Sequence, residues 1–208
     1  MKKYLAALAV SILFIAAAQA QTEKGTKIIG GSIDFNKNKS EGEFSSNINS
    51  FIFSPKAGYF ISNNFAIGTN VNFGSTKVNQ QNSLYNNYTN HSVGVTPFVR
   101  HYLTITERFR FISEFNLSWS TSKQKPNQYL ENEAEYYVRS NYYSAKLSPG
   151  LAFFPTKKWA IEMVFPFLSY GKGVTKFVGV PDAKNVADYR FDFALSTSSP
   201  LIGVNYHF

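Results

Sequence analysis

After residue 27, apolar and polar positions alternate with period two through nearly every stretch between polar clusters, and no 3.6-residue stripe breaks the rhythm. The alternation predicts eight β-strands. The first, 27–37, sets Ile29, Ile33 and Phe35 against Gly30, Ser32 and Asp34. The second, 48–60, sets Phe51, Phe53, Pro55 and Tyr59 against Ser54, Lys56 and Gly58. In the third, 64–78, Phe65, Ile67, Val71 and Phe73 oppose Ala66, Gly68, Asn70, Asn72 and Gly74; in the fourth, 91–103, Val93, Val95, Pro97 and Val99 oppose Gly94, Thr96 and Arg100. The fifth, 108–122, has Phe109, Phe111, Phe115, Leu117 and Trp119 opposite Glu114, Asn116, Ser118 and Ser120. The sixth, 137–154, has Tyr143, Ala145, Leu147, Leu151 and Phe153 opposite Ser144, Lys146, Ser148 and Gly150. The seventh, 159–172, has Trp159, Ile161, Met163, Phe165 and Phe167 opposite Ala160 and Glu162.

The last segment contains a parity slip. It begins with Phe191, Phe193 and Leu195 against Arg190 and Asp192, and ends with Ile202, Val204, Tyr206 and Phe208 against Gly203, Asn205 and His207. A β-bulge near Ser198, Ser199 and Pro200 absorbs such a shift. Two separate strands would also absorb it, but would make the strand number odd and put the C-terminus on the wrong side. Connections alternate between short (61–63, 104–107, 155–158) and long and polar (38–47, 79–90, 123–136, 173–186). Three tight turns and four long loops are what an up-and-down barrel needs when both termini face the periplasm.

The two faces differ in bulk, and that difference decides which one points inward. Phe, Tyr, Trp, Ile and Leu crowd one face; Gly, Ser, Ala, Asn and Thr dominate the other. An eight-stranded lumen is narrow and just fills with side chains, so the small polar face fits inside and the bulky face must point out. Backbone polar groups in hydrocarbon must all be paired, which a closed sheet achieves. The fold class expected is therefore an all-β, eight-stranded antiparallel up-and-down transmembrane β-barrel. The same parity turns Asp34, Glu114, Glu162 and Asp192 inward together with Lys56, Arg100, Lys146 and Arg190, four acids and four bases. Buried charges cost several kcal/mol each unless paired, so these eight are expected to form an ionic plug.

Composition extends this picture. Met1-Lys2-Lys3, the apolar run from Leu5 to Ala18 and the small-x-small motif Ala18-Gln19-Ala20 form a Sec-type signal peptide over residues 1–20, with the barrel domain following over 21–208. The run is shorter than the ~20 residues of a spanning helix. The 208-residue chain carries a net charge of +8, of which the two signal lysines supply two. Its Lys and Arg are scattered singly, which fits no nucleic-acid patch; acidic headgroups or glycans are easier partners. The absence of cysteine removes disulfides and thiolate metal sites. Twenty Phe and thirteen Tyr suit a wall that faces lipid and its two interfaces.

The ending Gly203-Val204-Asn205-Tyr206-His207-Phe208 resembles the terminal signature of outer-membrane proteins. The segment from Ser54 through Gly58-Tyr59-Phe60 and Asn63-Asn64-Phe65 to Gly68 is similar to the second hairpin of the small outer-membrane β-barrel domain family, which includes eight-stranded barrels of the outer membrane protein X and OmpA-transmembrane type. Pro97-Phe98-Val99-Arg100-His101-Tyr102 resembles the fourth strand of that family. The resemblance covers the mature chain and implies residence in the outer membrane. It also implies recognition of Tyr206 and Phe208 by the barrel-assembly machinery. Fold does not set activity, since the family includes adhesins and stress-linked structural proteins.

Little in the chain points to catalysis. Of His91, His101 and His207, only His91 falls on the loop side, and its neighbour Ser92 points to the opposite face, so the two make no dyad. Glu114 and Glu162 are better read as partners of lumenal Lys or Arg than as paired catalytic carboxylates. No phosphate loop, zinc spacing or calcium loop appears, and neither cofactor nor metal is expected. The expected function is that of a monomeric structural or interaction scaffold with a plugged lumen. It would sit among outer-membrane lipid and display four loops, in which Tyr85, Tyr88 and Tyr129 are candidate contacts for an extracellular ligand. The alternatives are a porin-like barrel passing small polar or hydrophobic solutes and, third, a lipid-modifying enzyme.

Overall fold

A computed structural model describes residues 22–41, 45–80, 87–127, 136–193 and 201–208. The signal-peptide reading, Tyr85, Tyr129 and the bulge at Ser198, Ser199 and Pro200 lie outside the described residues. Ten strand segments form one antiparallel sheet: β1 (Lys27–Ser40), β2 (Ser46–Ser62), β3 (Phe65–Gln80), β4 (Tyr88–Thr104), β5 (Phe109–Pro126), β6 (Tyr137–Phe153), β7 (Trp159–Val164), β8 (Leu168–Val178), β9 (Val186–Phe193) and β10 (Leu201–His207). Each of β1 to β6 pairs with the next, β6 pairs with both β7 and β8, and β10 joins β7 to β1, closing an eight-stave barrel.

Ten segments make eight staves because β7 and β8 lie along one stave, and β9 and β10, on either side of residues outside the described ones, lie along another. β7 and β8 both run antiparallel to β6, so they share a direction. Gly150 lies opposite Val164 whereas Leu147 lies opposite Leu168, so the three residues Phe165, Pro166 and Phe167 face only Ser148 and Pro149. That is a bulge, and Pro166, which has no N–H to give to a ladder, sits in it; Phe165 N–H donates to the Pro149 carbonyl at 2.8 Å. The bulge corrects one sequence expectation: the seventh strand does not hold one parity to Lys172. Trp159, Ile161 and Met163 point out on β7, but Tyr170 and Lys172 point out on β8. The eighth stave shows the slip read from sequence, with Tyr189, Phe191 and Phe193 outward on β9 and Ile202, Val204 and Tyr206 outward on β10.

The wall is inverted relative to a soluble barrel. Outward Leu117, Trp119 and Phe115 are 52%, 41% and 41% exposed, while Arg100 on the inner face is fully buried. One rim, here the lower, carries the tight turns and both ends of the described chain: Lys27 N–H donates to the Phe208 carbonyl at 2.7 Å and Phe208 N–H returns to Lys27 at 3.0 Å. Two of its turns use the same local device. Thr106 Oγ1 accepts from Phe109 N–H at 3.0 Å and Thr156 Oγ1 from Trp159 N–H at 3.1 Å, the side-chain bond of an ST turn. The third turn places Asn64 at φ 63°, which Asn tolerates, and Thr22 Oγ1 donates to its side-chain oxygen at 2.6 Å.

Closure is uneven with height. β1 pairs with β10 only over Ile28–Gly31, and Gly31 takes φ 148°, a value open to glycine. Above it, among the described residues, β1 pairs only with β2 and β9 only with β8.

Candidate functional site

The lumen is the place where the inner faces of the staves meet, and its lower half is built around Arg100. The even-numbered residues of β4 point inward, which brings Phe98, Arg100 and Tyr102 onto the axis. β5 delivers Glu114 directly opposite Arg100, and β7 delivers Glu162 from across the barrel, 62 residues away in sequence. Arg100 Nε donates to Glu114 Oε2 at 2.6 Å, and Nη2 makes a further short bond to the same oxygen. Nη1 donates to Glu162 Oε2 at 2.5 Å and to the Tyr102 hydroxyl at 2.9 Å; that hydroxyl donates in turn to Glu162 Oε1 at 2.9 Å. Lys56 Nζ approaches Glu162 Oε2 at 3.5 Å, and both cations lie over the Phe98 ring at 5.6 and 5.3 Å. The cluster holds two acids and two bases, and its formal charges cancel. Gly68 makes room for Phe98, because a Cβ there would run into the ring.

Below the ions lies an aromatic floor. Phe60 sits 5.5 Å from Tyr102, and the His207 ring lies 5.7 Å from Phe60, 6.4 Å from Tyr102 and 5.2 Å edge-on from Phe154. Ile28, Ala66, Ile112, Ala152 and Ala160 complete this buried cluster. Above the ions the inner face turns to hydroxyls and amides. Asn72 donates to Thr96 at 3.4 Å and Thr96 to Ser118 at 3.0 Å. The buried Asn70 Oδ1, Asn116 Oδ1 and Ser144 Oγ have no partner among the described residues, a need that a hydrated lumen meets.

Of the eight charges read from sequence, the structure brings together Lys56, Arg100, Glu114 and Glu162. Asp34, Lys146, Arg190 and Asp192 stand apart from them on the inner face higher in the barrel and are exposed; Asp192 accepts from Ser169 Oγ at 3.2 Å. Tyr206 and Phe208 stack at 5.8 Å on the outer face of the lower rim, where Trp159 adds a third ring 5.0 Å from Tyr206. Tyr88 is the first residue of β4, in register with Val78 and Pro126, and so belongs to the wall instead of a loop tip. His91 likewise lies within β4. Sequence reading missed Tyr102, Phe60, Phe154 and His207 as a floor. The available signal was their bulk at inward-facing or rim positions otherwise held by small residues.

An inverted wall around a polar, charge-neutral axis is the geometry of a membrane barrel, and comparison with known proteins agrees. Residues 5–208 match the model of the outer membrane protein beta-barrel domain. The chain belongs to that family. Outer membrane β-barrels are also its structural neighbours. OprG from Pseudomonas aeruginosa superposes with a TM-score of 0.53 at 14% identity, over 91% of this chain and 99% of that one. Outer Membrane Protein W of E. coli gives a TM-score of 0.50 at 12% identity, over 89% and 99%. At such identities the likeness extends to fold alone. No curated protein matches the sequence. Family membership places this β-barrel in the outer membrane.

Proposed function

We propose that the barrel is a scaffold anchored in the outer membrane, closed to solutes along its axis, whose role is carried by the loops at the upper rim. The observation that carries this reading is the stacking of two seals. An ion cluster with Arg100 fully buried lies directly over a floor of Phe60, Tyr102, Phe154 and His207. Moving either seal would break buried charge-assisted bonds or close ring packing, so the axis is a costly path for water or ions. Recording purified barrel in planar bilayers tests it: a flat baseline is expected, and discrete unitary steps from the unmodified protein would sink the reading. Among the described residues the margins of β1 above Gly31 and of β9 have no partner across the seam, which favours a second reading, in which small apolar solutes leave the upper lumen sideways into lipid. A disulfide joining the two margins would then abolish uptake of such solutes by vesicles, whereas a scaffold would show none to abolish.

A further inference from the structure

We infer that the outer face of β4, β5, β6 and β8, close to the upper rim, docks a phosphate-bearing glycolipid of the outer leaflet. The inference rests on the outer-membrane placement but not on whether the lumen is closed.

A row of basic side chains supplies the first half of the site. His91, Lys123, Arg139 and Lys176 lie directly opposite one another across four adjacent strands. All four share the outward parity of Val93, Trp119, Tyr143 and Tyr170 on their respective strands. Lys123, Arg139 and Lys176 are like charges facing each other across two ladders, which is destabilising. No acid on these strands relieves them: the one carboxylate that β4, β5, β6 and β8 carry is Glu114, which points inward to Arg100. Aromatic packing holds the row in place instead, with Lys123 Nζ 3.8 Å from the centre of the Tyr137 ring and Arg139 Cζ 5.9 Å from it. Positive groups fixed on the lipid side, with no outward acid among the described residues of their strands, call for an anionic ligand from the membrane.

The second half is an apolar groove of about 440 Å³ lower on the same face, lined by Val95, Leu117, Trp119, Tyr143, Tyr170 and Lys172. Pro97 adjoins it at the point where the β4–β5 ladder skips from Val95↔Trp119 to Phe98↔Asn116. Lys172 is in register with Tyr143 and lies 5.2 Å from the Tyr189 ring, which puts a further cation at the head of the groove. Four residues of strand, roughly 13 Å, separate it from Lys176. Acyl chain in the groove, phosphate on Lys172 and phosphate on the row form a vertical sequence that matches a phosphorylated glycolipid better than a protein partner. A protein partner would have to seat its contacts within the hydrocarbon.

Trp119 is one of two tryptophans in the chain, so a Trp159→Phe background makes it the sole reporter. The full-length barrel in phosphatidylcholine nanodiscs would be titrated with diphosphorylated lipid A while Trp119 emission is followed. A saturable change is expected, weakened at least about tenfold by the triple change Lys123→Gln, Arg139→Gln and Lys176→Gln. Heat-modifiable migration on gels verifies that each variant is folded. Equal binding by the triple variant, equal binding of fully dephosphorylated lipid A, or a linear unsaturable response each overturns the proposal. Glu131, Glu133 and Glu135 lie in the β5–β6 connection, outside the described residues. Their replacement by Gln is expected to leave binding equal or tighter. Binding seen only after that replacement would mean that the loop neutralises the row, and would also overturn the proposal.

Discussion

Arg100 shows how one side chain organises the lower lumen. It donates to two carboxylates and a phenol, so each neighbour depends on it for its own hydrogen bonding. Removing one member of a buried ionic set leaves an uncompensated charge, which costs about 3–5 kcal/mol. Glu162→Ala is therefore expected to lower the unfolding free energy by about that much, read from urea titration of the folded barrel in detergent. A loss below about 1 kcal/mol would mean that water reaches Arg100 and satisfies it. Gly68 tests packing at the same scale. A Cβ there would run into the Ala57 carbonyl of the paired strand as well as the Phe98 ring, so Gly68→Ala should cost about 1–3 kcal/mol through forced displacement of both strand and ring. The same titration measures it, and a neutral result would show that the β2–β3 ladder and Phe98 both yield freely at this point.

At the scale of the element, the bulge at Phe165, Pro166 and Phe167 sets which side of β8 faces lipid. A strand's side-chain period is two, so one residue more or less exchanges its faces. Deleting Pro166 is expected to turn Tyr170 inward and Gly171 and Gly173 outward, against the close approach of Tyr142 to Gly171. Such a chain should fail to give the heat-modifiable folded band on gels, whereas Pro166→Thr, which keeps the residue count, should fold. Equal folding of both would show that register here is not set by the bulge. In the sequence this element was half legible: alternation located Trp159, Ile161, Met163 and Glu162 on their correct faces, but Phe165 and Phe167 continued the same odd rhythm into a bend. Pro166 was the available clue, since proline within a strand reads as an edge or a bulge.

For the whole molecule, uneven closure predicts uneven stability. Amides along β4 and β5 lie in ladders on both sides, while, among the described residues, those of β1 above Gly31 and of β9 have one partner strand each. Hydrogen exchange in detergent micelles should therefore release residues 32–40 and 186–193 well before 88–104 and 109–126. Uniform protection would show that β9 meets β1 in solution and that the barrel is sealed to its upper rim.

The number of staves, the inward and outward faces except beyond the bulge at Phe165, Pro166 and Phe167, and the lower-rim turns were determined by the sequence alone. The reason is local: a strand's alternation follows from backbone geometry, and a thin lumen admits only the smaller face. Which charges meet was decided by tertiary structure. Arg100 and Glu162 come from different walls, and only the stagger of the closed sheet places them within hydrogen-bond reach while leaving Asp34, Lys146, Arg190 and Asp192 higher up. The cation row on the outside has the same origin. His91, Lys123, Arg139 and Lys176 are isolated basic residues along the chain, and they line up because the register of three ladders adds, a quantity that no stretch of sequence carries by itself.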